Sequence, residues 1–117
     1  MDEKRKARLE AAGIDMAELS ERFMNNDALM TRFLSRFPQD KNHDMLKRAL
    51  ADGDVQAAYN AAHTLKGVTG NLSMHTLFTA VCNVVEPLRS GNLAEAENNV
   101  AALDAAYEAV INALTQQ

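Results

Sequence analysis

A chain of 117 residues, 47% apolar and 24% charged, has the balance of one globular domain with a single modest core. A net charge of −4 argues against a nucleic-acid partner. The lone Cys82 excludes a disulfide framework and a cysteine zinc site, and no run approaches the ~18 consecutive apolar residues of a membrane span.

Aromatics make up only 5% of the chain, and tryptophan is absent. Leu, Ala, Met and Val must then fill the interior, which suits helix packing better than a β-sandwich. The six methionines are expected as adaptable core filler, and Cys82 as a small buried hydrophobe. The basic cluster KRKAR at 4–8 reads as a solvated N-terminal turn within a charged helical extension, residues 1–14. No apolar signal-peptide core is present at the N-terminus, so a reducing cytoplasm is the expected location. Met1 followed by a charged helix favours a free-standing protein over a piece of a sensor kinase.

Asp15 with Glu18 three residues on resembles a capping pair and opens a short helix through about Met24. Asn26 or Asp27 can cap the next segment, where Leu29, Met30, Phe33, Leu34 and Phe37 recur at helical spacing. Pro38 interrupts that run, so residues 27–51 form one kinked helix or two in succession. The run ADGD at 51–54 supplies a glycine stop and an aspartate cap for a helix over about 55–71. Ser73 can cap the next helix, which Pro87 bends near its end and Gly91 stops; Asn92 with Glu95 opens a last one through about Leu114. The expected architecture is all-α: an up-and-down antiparallel four-helix bundle over residues 15–114, with the first short helix laid across one end.

On a helical wheel for the 55–71 helix with Ala58 at 0°, Ala62, Leu65, Thr69 and Leu72 fall within about 40° of Ala58, the face that should be buried. Lys66, Gly70, His63, Gln56 and Gly67 fall on another face, about 80° to 180° away. Two interior glycines each cost a helix about 1 kcal/mol relative to alanine. That penalty is tolerable where a partner's bulk must reach the imidazole. Lys66 adds a cation one turn on from His63, and an approachable imidazole beside an ammonium suits a phosphoryl group. The plainer readings are a solvated histidine, a routine surface lysine and glycines that let helices pack closely.

The stretch HTLKGVTGNLS resembles the signature of histidine-containing phosphotransfer (HPt) domains: a histidine, a lysine three on, a glycine four on and a small residue ten on. The ALADGD run before the histidine, the proline in the preceding helix and LRSGN closing the next are similar to the family layout, and the likeness spans roughly residues 15–112. The resemblance implies a four-helix bundle in which His63 takes a phosphoryl group from a receiver-domain aspartate and passes it to another receiver. Lys66 would steady the phosphoryl oxygens and Gly67 leave room for the receiver, with Gln56, Lys66, Gly67 and Gly70 on the docking face. Ser73 stands where glycine is most usual. Some members orient the imidazole with a glutamine on the facing helix; Asn83 or Glu86 occupies the equivalent region here.

No glycine-rich nucleotide loop, kinase-like box or magnesium-holding carboxylate cluster occurs, so the chain should be a phosphocarrier and not an ATP-dependent enzyme. No cofactor of its own is expected. The resemblance assigns Mg²⁺ to the partner, a response-regulator receiver domain or a hybrid sensor histidine kinase, with no membrane or nucleic acid engaged. A monomer is expected, since one apolar stripe per helix fills the core. An adaptor that binds receivers without relaying phosphate shares this fold and stands as the alternative. A metal site of His43, His63 and His75 lacks the i, i+3 or i, i+4 spacing of helical sites. His43 is expected to be solvated, and His75 to interact with the end of its own helix.

Overall fold

Helix starts are set by short polar side chains. Asp15 accepts a hydrogen bond from the Glu18 N–H, Asn26 from Leu29, Asp54 from Ala57 and Asn92 from Glu95, each at 3.0 Å. The computed structural model describes residues 1–116. It contains α1 (Glu3–Ala11), α2 (Met16–Arg22), α3 (Asp27–Arg36), α4 (Asn42–Ala51), α5 (Val55–Asn71), α6 (His75–Arg89), α7 (Leu93–Asn98) and α8 (Val100–Thr115). No strand is present among the described residues. Among the described residues, no helix is long and apolar enough to cross a membrane.

Residues 27–51 form two helices in succession. A 3₁₀ turn over Phe37–Gln39 follows α3, with Pro38 in its first turn, where the missing N–H does least harm. Asp40 then accepts from the Asn42 N–H (2.9 Å) and restarts the chain as α4.

Three boundaries differ from expectation. The last helix is not continuous: it breaks at Asn99, whose amide donates to the carbonyls of Glu95 (3.0 Å) and Asn83 (3.2 Å) and pins the break to α6. Ser73 does not cap α6. Met74 holds the cap position without a side-chain bond, while the Ser73 hydroxyl donates to Glu18 (2.7 Å). The first short helix ends at Arg22, because Met24 and Asn25 turn left-handed (φ 54° and 61°).

KRKAR is no solvated turn. It lies inside α1, capped by Asp2 through the Lys4 N–H (2.7 Å), and Leu9 on that helix is fully buried. Of the methionines, Met16, Met30 and Met74 are in the core while Met24 and Met45 are exposed. Cys82 is half-buried, not enclosed.

The core runs along the bundle through Leu9, Leu19, Leu34, Leu46, Leu65 and Leu103, all fully buried. Consecutive helices pack on one another, α4 on α5, α5 on α6 and α6 on α7 and α8, with α1 returning against α8. The α1–α2 connection is stitched to the α5–α6 turn: Ile14 and Met74 form an antiparallel bridge, and the Asp15 N–H donates to the Ser73 carbonyl (2.9 Å). Gly13 (φ +89°) permits this approach, since a Cβ there would lie 2.1 Å from the Thr76 hydroxyl.

Candidate functional site

Of the two faces on α5, one supports the core. Ala58, Ala62, Leu65, Thr69 and Leu72 are all buried, and Thr69 returns its hydroxyl to the Leu65 carbonyl (2.9 Å), which satisfies it inside the apolar layer. The other face carries the chemistry. His63 is the middle residue of the seventeen in α5 and is exposed, as are Gln56 and Gly67, while Lys66 and Gly70 are half-buried.

The two glycines have different roles. A Cβ on Gly67 would meet nothing within 4 Å, so no packing requirement of the fold explains its absence. A Cβ on Gly70 would lie 3.3 Å from the Phe78 ring, so this glycine lets α6 approach α5. The plainer reading, a glycine that lets helices pack closely, therefore fits Gly70 and not Gly67.

The nitrogens of His63 and the ammonium of Lys66 have no hydrogen-bond or ion-pair partner among the described residues. Neither Asn83 nor Glu86 bonds the His63 ring. Asn83 offers its carbonyl to Asn99, and the Glu86 carboxylate receives Arg89 at 3.4 Å. In their place the structure brings Tyr59 to the histidine. The two rings stack with centroids 5.6 Å apart and planes 8° from parallel, and the Arg89 guanidinium lies 5.4 Å from the Tyr59 centroid. Tyr59 sits one helical turn before His63, a spacing readable in the sequence. Arg89 comes from α6 and needs the antiparallel register of the helix pair. Beneath this group, Val55, Gln56, Tyr59, Leu88 and Arg89 line a shallow cleft of about 260 Å³. Gln56 bonds to Asn60 within its own helix (3.0 Å).

A larger apolar cleft of about 530 Å³, lined by Phe23, Phe33, Phe37, Val68 and Leu72 among others, lies toward the C-terminal end of α5 and does not include His63.

The other histidines have separate neighbours. His43 is not solvated: it stacks on Tyr107 and bonds Asp104 at 2.8 Å. His75 does not act on its own helix end; it reaches Glu18 (3.2 Å). Asp15, Glu18 and His75 offer ligand atoms within 4.8 Å of one another, and here they are engaged in mutual contacts. The Ser73 hydroxyl above all, then His75 and Arg22, hold the Glu18 carboxyl below its ordinary range against a partial desolvation.

An exposed mid-helix imidazole, a neighbouring lysine and an unfilled glycine lie within a helical bundle, and the model of the Hpt domain family matches residues 28–113. The chain belongs to the Hpt domain family. Hpt domains are phosphocarrier modules of two-component signalling that interact with receiver domains and histidine kinases. The match begins inside α3, so α1 and α2 lie outside it. Neither curated proteins nor solved structures returned a match to the chain.

Proposed function

We propose that this Hpt domain relays a phosphoryl group between receiver-domain aspartates through His63. The observation that supports the reading is the accessibility of the ring: His63 stands at the centre of α5 with both nitrogens unbonded among the described residues, beside Lys66 and the open notch at Gly67. A neutral imidazole nitrogen offers its lone pair to the phosphorus of an aspartyl phosphate. The P–N bond forms as the acyl P–O bond breaks, and the aspartate leaves as a carboxylate. The second ring nitrogen keeps its proton. The reverse step on a second receiver regenerates the imidazole, with no other reactant consumed.

Lys66 faces the charge that develops on the phosphoryl oxygens. Gly67 admits the receiver surface, which brings its own aspartate and Mg²⁺. This chain supplies the presented nucleophile and no nucleotide site, so it does not draw on ATP. The cytoplasm is its place of action, as a monomer.

The test is transfer of radiolabelled phosphate from an aspartyl-phosphorylated receiver with Mg²⁺, comparing wild type with His63→Gln. The reading expects acid-labile, base-stable label on wild type and none on the variant. Wild type that binds receivers and takes no label overturns it in favour of an adaptor.

A further inference from the structure

We infer that Tyr59 is the positioning residue that sets the plane of the His63 imidazole for phosphoryl transfer, an inference that rests on the relay reading. An exposed imidazole turns about a broad, roughly two-fold terminal torsion. Transfer needs one ring nitrogen in line with the breaking P–O bond. No hydrogen bond among the described residues holds His63: on the facing helix the Glu86 carboxylate receives Arg89, and Asn83 contributes only its backbone carbonyl, to Asn99.

The Tyr59 ring supplies the missing constraint. Its near-parallel stack fixes the face of the imidazole. The one free lone pair and the N–H of a neutral imidazole both lie in the ring plane, so both nitrogens remain open at its edge; a hydrogen bond would have occupied one of them. Tyr59 is itself held, half-buried against the core, with the Arg89 guanidinium over its ring and Glu86 on Arg89. No hydrogen bond among the described residues uses the Tyr59 hydroxyl, so the aromatic face and not the phenol carries the role.

The experiment compares Tyr59→Leu and Tyr59→Phe with wild type. The readouts are single-turnover transfer from a phosphorylated receiver, titrated in receiver concentration, and the NMR shifts of the His63 ring protons. In Tyr59→Leu the saturating rate falls by about 10-fold while the half-saturating receiver concentration stays within about twofold. The His63 ring protons move downfield as the shielding ring is lost. Tyr59→Phe restores both. A Tyr59→Leu protein with the wild-type saturating rate overturns the inference, as does a Phe variant as slow as the Leu variant. Should Tyr59→Leu melt early, Arg89→Gln loosens the ring without removing it, and an unchanged saturating rate there overturns the inference equally. Wild type that takes no label defeats the relay reading and this inference together, whereas labelled wild type with an equally fast Leu variant defeats this inference alone.

Discussion

The His43 imidazole lies flat on the Tyr107 ring, with centroids 3.8 Å apart and planes 7° from parallel. A carboxylate only accepts, so the His43 Nε2–H donates to Asp104 (2.8 Å), and Lys47 donates to the second carboxylate oxygen. This group latches α4 to α8 across a sequence separation of about 60 residues.

Partial burial pushes the Asp104 carboxyl up, but the bonds from Lys47 and His43 outweigh it and hold it below its ordinary value. A group depressed in the folded state stabilises the fold above its unfolded pKa, and that contribution disappears as pH falls through the folded one. Asp104→Asn is therefore expected to cost about 1 kcal/mol at neutral pH, or roughly 4 °C in Tm. Thermal melts from neutral pH down through the carboxylate range should show the two proteins converging at the acid end.

Ser73 is buried with φ +54°, a conformation that costs an ordinary residue roughly 1–2 kcal/mol and glycine almost nothing. Its hydroxyl bond to Glu18 compensates. Ser73→Ala keeps the strain and loses the bond, whereas Ser73→Gly loses both. The expected order of denaturant midpoints places the alanine variant below the glycine variant, contrary to the usual rule that alanine favours helical proteins.

Gly67→Ala should raise stability by about 0.5–1 kcal/mol, since its Cβ meets nothing and the position is helical. On the relay reading the same methyl obstructs the receiver, so labelling from the phosphorylated receiver should slow as Tm rises. Gly70→Ala drives its Cβ against Phe78 and gains less stability, or loses some, without the same defect in labelling.

On the relay reading, Lys66→Gln should slow labelling by about 10-fold or more, through loss of the charge proposed to face the transferred group. Its melting curve should match wild type, because the ammonium has no ion pair among the described residues to lose.

Local features were legible where the physics is local. Asp15, Asn26, Asp54 and Asn92 act as caps within three residues of their partners, and the buried stripe of α5 follows from helical spacing alone. The position and exposure of His63 came from the same wheel. What escaped depended on residues far apart in the chain. His43 reads as solvated among Asn42 and Asp44 until α8 brings Asp104 and Tyr107 to it. Ser73 reads as a cap because nothing in its own neighbourhood announces Glu18, which lies 55 positions earlier. The break at Asn99 carries no proline or glycine, and only its bond to α6 explains it. Arg89 joins the site through the register of two helices.

His63 stands at the midpoint of α5, on a helix whose far end is stitched to the α1–α2 connection. On the relay reading there is one doorway for both traffic directions. Donor and acceptor must each cover the same ring, so they cannot be seated together, and an excess of either receiver inhibits the other by occupancy. Throughput would then be greatest when the two receivers are balanced in concentration, and a surplus of unphosphorylated acceptor would throttle the signal it is meant to carry.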